Sequence, residues 1–596
     1  MSEKQTPPSW DLSDVYASPT DPKIKVDLEA FEKNLALFEQ KYKGKLADLS
    51  ATEFLNALHE LEQNTILGRR LSGFAYLNMA TQMDNPKATS FYQDISETLT
   101  AASKKEVFFT LELNKLPEST LEKWLENQEV ATYTPWLKRV RRFKDNQLSE
   151  PEETLLLEKA ITSSNAWVRL YEETSSRLIF PLGDKTCNEA EITHTSLFGA
   201  TDEERTKASE VMNQVYKENA PLFTFIYNMI IKDKAIEDEK RGFEHPYSER
   251  NKSEDVPDKM VDALAETVKA HYQTISHRYY KLKAKWLNKE QLNYWDRSVP
   301  LPFDSAKTYS WEEASRFVLD AYEEFSPKLR AIADDFFTHN WIDVPPKQGK
   351  RAGAFCSPIT THDHPYLLLN FMGRQNDVLT LAHELGHGCH HQLRVNNGEL
   401  NERSRMTSEE IASVFGEMLT FQKLLKETTD DRQRMALIAS KVGDMLATAF
   451  RQIAFFFFEK RAHEARKNGE LSAETLSKIW VEELRAYMGP AVVIDERSAA
   501  IWPHVGHFFF LPFYVYAYSF ADCFVNSLYQ VYQEGQISDF PDKYLALLSQ
   551  TAIGDYDKLL KPFGLDPNTP DFWNKGLNLI SHYLDELESL DKKLLD

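Results

Sequence analysis

Between Ile24 and Asp145 apolar residues recur at intervals of three and four, the spacing of amphipathic helices. Leu28, Phe31, Leu35 and Phe38 mark one such face, and Phe54, Leu58 and Leu61 mark the next. Asn85-Pro86 and Leu116-Pro117 punctuate the helices. The pattern turns irregular between Ser164 and Gly199, where Leu178 to Gly183 and Leu197-Phe198-Gly199 interrupt it and predict a hinge or a small sheet. Thr201-Asp202-Glu203-Glu204 then opens a further helix with good capping residues. His245-Pro246, Val256-Pro257 and Val299-Pro300-Leu301-Pro302 read as turns between later helices. The expected division is a helical domain over residues 1–199, walling one side of a cleft, and a domain over residues 200–596 that carries the chemistry.

The chemistry is concentrated downstream. His364 to Phe371 is a short apolar run bounded by Pro365 and Gly373, the signature of a buried or cleft-edge strand. Asp377 then reads as the N-cap of a helix whose apolar face includes Val378, Leu379, Ala382, Leu385 and Gly386. Asn396-Asn397-Gly398 ends that helix. Within it lies His383-Glu384-Leu385-Gly386-His387. Histidines four apart share a helix face, so both rings can reach one metal ion. Glu384 is rotated by roughly 100°, out of the ligand set but within reach of a water at the metal. Two neutral imidazoles, a third ligand from elsewhere, an open position and a nearby carboxylate are what a metal hydrolase needs.

A third ligand is expected on a following helix. Thr407 to Glu417 reads as that helix, with Ser408 as N-cap and Glu410 and Glu417 two turns apart on one face. Either carboxylate suits the metal, and the other suits a histidine N–H. Further on, the aromatic block from His507 to Tyr518 predicts core for Phe508 to Phe510. On a helix, Tyr514 and Tyr518 share a face, which brings two phenols together in a way that serves an oxyanion. His362 and His364 fall in a loop and are left out of the metal set.

Composition narrows the class. The 596 residues include only 21 glycines, and long stretches rich in Leu, Glu, Lys and Ala favour helix. A formal net charge of −21 argues against a nucleic-acid partner, which requires a basic face. The N-terminal stretch, Met1 to Tyr16, is polar and without a charged-then-apolar export pattern. Ile453 to Phe458 and Phe508 to Tyr518 are too short to span a bilayer, so no membrane partner is expected. Cys187, Cys356, Cys389 and Cys523 are widely separated and read as free thiols of a cytoplasmic protein. Cys389 suits a small buried filler.

These residues carry a resemblance. HELGH followed by EEIAS and a later glutamate is similar to the oligoendopeptidase F branch of the thimet oligopeptidase family of zinc peptidases. Gly349 to Phe355, ahead of the strand, and Trp502 to Tyr518 match as well. The resemblance implies one zinc per chain held by His383, His387 and Glu410, with Glu384 as general base. It implies that His507 and clustered tyrosines contact the substrate carbonyl and the tetrahedral intermediate, the choice among Tyr514, Tyr516 and Tyr518 falling on Tyr514 and Tyr518 through the helical reading. It also implies a mainly α, two-domain fold with a small β-sheet beside the active-site helix. A deep channel that admits short peptides and excludes folded proteins comes with that fold. A helical HExxH metallocarboxypeptidase and a non-enzymatic helical binding protein are the alternative classes.

Overall fold

The computed structural model describes residues 7–303, 307–402 and 405–595; the first six residues of the polar N-terminus lie outside them. Helix makes up 71% of the chain, so the mainly α expectation holds. The chain forms two compact units, each assembled from three stretches: Met1–Lys144, Ala306–Leu424 and Ile537–Gly564 in the first, and Asp145–Ser305, Leu425–Gln536 and Leu565–Asp596 in the second. The single cut expected at 199/200 therefore does not separate them. The irregular stretch that suggested it is a β-hairpin inside the second unit, Phe180–Leu182 paired antiparallel with Lys185–Cys187.

The first unit begins with helices α1 (Pro22–Tyr42) and α2 (Ala51–Ala80). Asp21 caps α1 by accepting from Lys23 N at 2.9 Å, and Ser50 and Glu53 form a reciprocal capping box on α2. Phe31, Leu35 and Phe38 on α1 and Phe54, Leu58 and Leu61 on α2 are buried as the periodicity predicts, whereas Leu28 is only half-buried. A three-stranded sheet follows: β1 (Ile342–Asp343), β2 (Phe355–Ser357) and β3 (Tyr366–Leu368). The central strand β3 lies parallel to β1 and antiparallel to β2, with Cys356 opposite Leu367. This is the strand expected within His364 to Phe371, shortened to three residues and buried on both sides.

The Gly349 to Phe355 stretch anchors the sheet. Lys350 Nζ reaches Asp343 Oδ1 at 2.6 Å and donates to the carbonyls of Asp343 and Pro345 at 3.0 Å. Gly349 has φ +76°, and a Cβ there would collide with the Asp84 carboxylate. Asn370 Nδ2 then bonds Arg351 O and Gly353 O at 2.9 and 2.8 Å, fixing the bend at Gly353 that leads into β2.

Helices α3 (Gln375–Arg394) and α4 (Met406–Glu427) carry the metal motif. Helix α3 starts two residues before the expected N-cap: Asp377 lies in its first turn and accepts from the backbone N–H of Arg374 and Met372, each at 2.9 Å. Ser408 likewise sits inside α4, and its hydroxyl turns back to Arg405 O at 3.2 Å. Helix Phe540–Gln550 and the loop after it close over both. Tyr544 Oη donates to Ile411 O at 3.0 Å, His390 Nε2 meets Thr551 Oγ1 at 2.7 Å, and Arg405 Nη1 donates to Gly554 O at 3.0 Å.

The second unit is built on a 40-residue helix, Asp202–Arg241, begun by the Thr201/Glu204 capping box and stopped by Gly242 in the left-handed region at φ +75°. Helix α5 (Tyr516–Glu534) packs in this unit against Pro570–Leu595. Among the described residues no helix is long and apolar enough to cross a membrane.

Candidate active site

Helices α3 and α4 meet at two glycines. A Cβ on Gly386 would lie 2.6 Å from both Ala412 O and Ser413 Cα, and one on Gly416 would strike the Tyr322 hydroxyl. The absence of both side chains lets the two backbones approach closely. Tyr322 Oη fills the seam by donating to Ala382 O at 2.6 Å. Gly386→Ala is accordingly expected to force the helices apart and to cost about 1–3 kcal/mol of stability, as overpacking does. A drop in the denaturant midpoint with weaker zinc binding is the expected result; a wild-type midpoint would show that the contact tolerates separation.

This approach delivers Glu410 to the two histidines. Its Oε2 lies 3.1 Å from His383 Nε2 and 3.5 Å from His387 Nε2, and one atom from each of the three residues falls within a 4.8 Å group. Ligands at the usual zinc bond length of ~2.0–2.1 Å in a tetrahedron sit about 3.3 Å apart, so the donor set and its spacing fit zinc. Ser413 Oγ donates to the same Glu410 oxygen at 2.9 Å, and Glu417 Oε2 lies 3.3 Å from His383 Nδ1. Glu417 thus holds the far side of the His383 ring and fixes its orientation.

The electrostatics favour a cation. Burial disfavours charge on His383, but its hydrogen bonds to Glu410 and Glu417 outweigh this and lift it to about 10. Burial pulls the other way on Glu410, yet the His383 hydrogen bond and the two imidazoles hold it down at about 2. His387, by contrast, is pushed down by burial, which favours its neutral imidazole form. A pocket that attracts a proton so strongly offers the same attraction to a divalent ion. Glu384, 7% exposed, is lifted by burial to about 7, with His383 opposing that rise and Glu410 adding to it.

Glu384, His383 and Glu417 line one cavity of about 500 Å³ with Gly353, Ala354 and Phe371. Its wall is the approach to β2, a strand at the edge of the sheet that pairs with β3 alone among the described residues. The neighbouring motif histidines are structural: His390 and His391 are buried on Thr551 and on Thr360 O, and His364 stacks on Trp341 at 3.8 Å. Cys389 is buried, as a filler would be.

His507, Tyr514 and Tyr518 lie on the second unit and gather there. The His507 ring is 5.3 Å from Tyr514 and 6.1 Å from Tyr518, and the two phenol rings are 5.1 Å apart. Tyr516, the third tyrosine of the block, is buried away from them. Phe508 and Phe509 are core as expected, but Phe510 is 45% exposed beside His507. Two supporting residues have no periodic signal. Phe513 takes φ +58°, a strained value for a bulky residue, and its N–H donates to Glu459 Oε1 at 2.9 Å. Burial lifts Glu459 to about 8. That turn is what brings Tyr514 back against His507.

A helical scaffold holding two histidines and a glutamate around one point, with a buried carboxylate beside them, defines the class of helical HExxH metallopeptidases. The model for "Peptidase family M3" matches residues 199–579, and that for "Oligopeptidase F" matches residues 112–180. The chain belongs to peptidase family M3, in its oligoendopeptidase F branch, and is a metalloendopeptidase. Oligopeptidase PepF of Bacillus subtilis is 27% identical, over 100% of this chain and 88% of its own. The chromosomal oligoendopeptidase F of Lactococcus lactis subsp. cremoris is 27% identical, over 98% of this chain and 97% of its own. Two solved structures share the fold: a peptidase from Chlamydophila abortus, with TM-score 0.84, 22% identity and 98% of each chain covered, and oligoendopeptidase-F from Enterococcus faecium, with TM-score 0.72, 20% identity and 96% and 99% covered.

Proposed function

We propose that this chain is a zinc-dependent endopeptidase that hydrolyses internal bonds of short peptides, with one zinc per chain held by His383, His387 and Glu410. The convergence of these three side chains at zinc-like spacing beside a buried Glu384 carries the reading. Zinc in that position supplies Lewis acidity, lowering the pKa of water towards about 7 and polarising a carbonyl. Glu384 accepts the proton of the attacking water and later returns it to the leaving amine. Glu417 orients His383, and Ser413 orients Glu410. His507, Tyr514 and Tyr518 donate to the carbonyl oxygen as charge develops on it.

The edge of β2 away from β3, unpaired with another strand among the described residues, suits a substrate that adds as an extended strand, its main chain bonded to Gly353 to Phe355 and its side chains directed into the adjoining cavity. The names of the relatives support oligopeptides as the substrate class. Four unpaired cysteines support a cytoplasmic setting.

Zinc analysis together with cleavage of an internally quenched peptide, with and without a chelator, tests this reading. About one zinc per chain, chelator-sensitive turnover and internal cuts by mass spectrometry are expected. Products trimmed one residue at a time would assign a metallocarboxypeptidase instead, and absence of zinc would return His383 and His387 to ordinary helix residues.

A further inference from the structure

The second unit contains a cavity of about 460 Å³ that opens beside His507 and holds charge unused by the hydrolytic chemistry. Arg297, Arg451 and Arg497 line it with Glu189, His504 and Trp295. Some of that charge is already matched. Arg497 is neutralised by Asp495, whose oxygens lie 2.8 to 3.2 Å from its guanidinium. Glu189 is occupied by His504 at 2.8 Å, by Ser175 Oγ at 3.2 Å and by the Tyr216 hydroxyl.

Arg297 and Arg451 are different. Arg297 donates from Nη1 to Tyr294 O at 2.9 Å, and its guanidinium sits 4.0 Å over the Tyr294 ring. Neither arginine has a carboxylate partner among the described residues, and the Nε of each is buried with no acceptor. The two charges also oppose each other: burial lowers the Arg297 pKa, Tyr294 offsets part of that, and Arg451 adds to the lowering. Arginine stays cationic in proteins, so this is a pair of half-buried like charges, each with a buried spare donor, at a cavity. Such an arrangement costs stability unless an anion completes it. In a chain of net charge −21 it is also a local reversal of sign. Planar guanidinium forks match a carboxylate in a bidentate way.

We propose that the Arg297/Arg451 pocket binds a carboxylate of the peptide substrate, supplied by its C-terminus or by an acidic side chain. This rests on the peptidase reading above and adds a substrate preference to it.

The test uses three quenched peptides of equal length: one with a free C-terminal acid, its C-terminal amide, and the amide with a glutamate near its end. The full-length wild-type protein is expected to cleave the charged peptides with kcat/KM about tenfold above the plain amide, the scale of a charge-assisted hydrogen bond. Preference for the free acid assigns the C-terminus as the source; preference for the glutamate peptide assigns the side chain. In Arg451→Met and Arg297→Gln the ratio of charged to amide kcat/KM falls to about one, while Arg451→Lys retains part of it. The ratio is insensitive to general losses of activity, and the wild-type discrimination stands as evidence if a variant fails to fold. Equal cleavage of all three peptides by the wild type, or discrimination that survives in both variants, overturns the proposal. Chelator-sensitive cleavage without discrimination would leave the peptidase reading intact and remove only this pocket. Charge-selective binding by Glu384→Gln protein, in a preparation whose wild type cleaves nothing, would do the reverse.

Discussion

Glu384→Gln is expected to leave zinc bound and peptide affinity near wild type while lowering kcat by about 10²–10⁴-fold, the usual range for loss of a general base. The expectation follows from the position of Glu384 on α3. Its neighbours His383 and His387 turn towards Glu410, whereas Glu384 turns into the cavity bounded by the approach to β2. It is almost wholly buried, and a backbone hydrogen bond from Cys356 steadies it. Glutamine has the same shape and fills the same space, so packing and metal coordination persist while the proton acceptor is gone. Steady-state cleavage of a quenched peptide, paired with elemental analysis of the same preparation, reads both quantities. Retention of the wild-type rate would exclude Glu384 as the base, and loss of zinc would make it a ligand.

The second large effect is loss of the metal itself. His383→Ala is expected to bring bound zinc to near zero after dialysis, with turnover lost in parallel. His383 faces both Glu410 and Glu417, so its removal leaves two acidic groups without the ring between them. Glu417→Gln separates coordination from orientation. It should retain zinc but bind it about 10–100-fold more weakly, the effect of losing a supporting partner behind a ligand histidine. Chelator competition measures that difference. Equal zinc affinity in Glu417→Gln and wild type would show that the 3.3 Å contact to His383 Nδ1 contributes nothing to the site.

Much of this site was legible in the sequence because its geometry is helical. Spacings of four and seven place His383 with His387 and Glu410 with Glu417, relations that depend only on the helix repeat. The meeting of Tyr514 with Tyr518 was expected for the same reason but arises otherwise: Tyr514 precedes the helix that begins at Tyr516, and the turn at Phe513 places it. Features set by packing were not legible. Asp377 and Ser408 look like caps, but the turns before them continue the helices, so each side chain bonds backward from within. Gly386 reads as one more small residue of an apolar face; only the position of Ala412 and Ser413 shows that a backbone occupies the space of its missing Cβ. Phe510 resembles its buried neighbours in sequence and differs because the helical turn His507–Phe510 directs it outward. The Arg297/Arg451 pair joins residues 154 positions apart, and no local periodicity marks such a meeting.

The threading of the first unit sets an order on its birth. A nascent chain that has reached Gln536 already contains every candidate zinc ligand. It still lacks the segment Ile537–Gly564, whose Tyr544, Thr551 and Gly554 bond to α4, α3 and the strap leading into α4. During synthesis the faces of both metal-bearing helices that this segment covers must therefore wait while more than a hundred residues of the other unit emerge from the ribosome. A shortened gene product ending at 536 would carry the full motif and lack the lock that closes behind it.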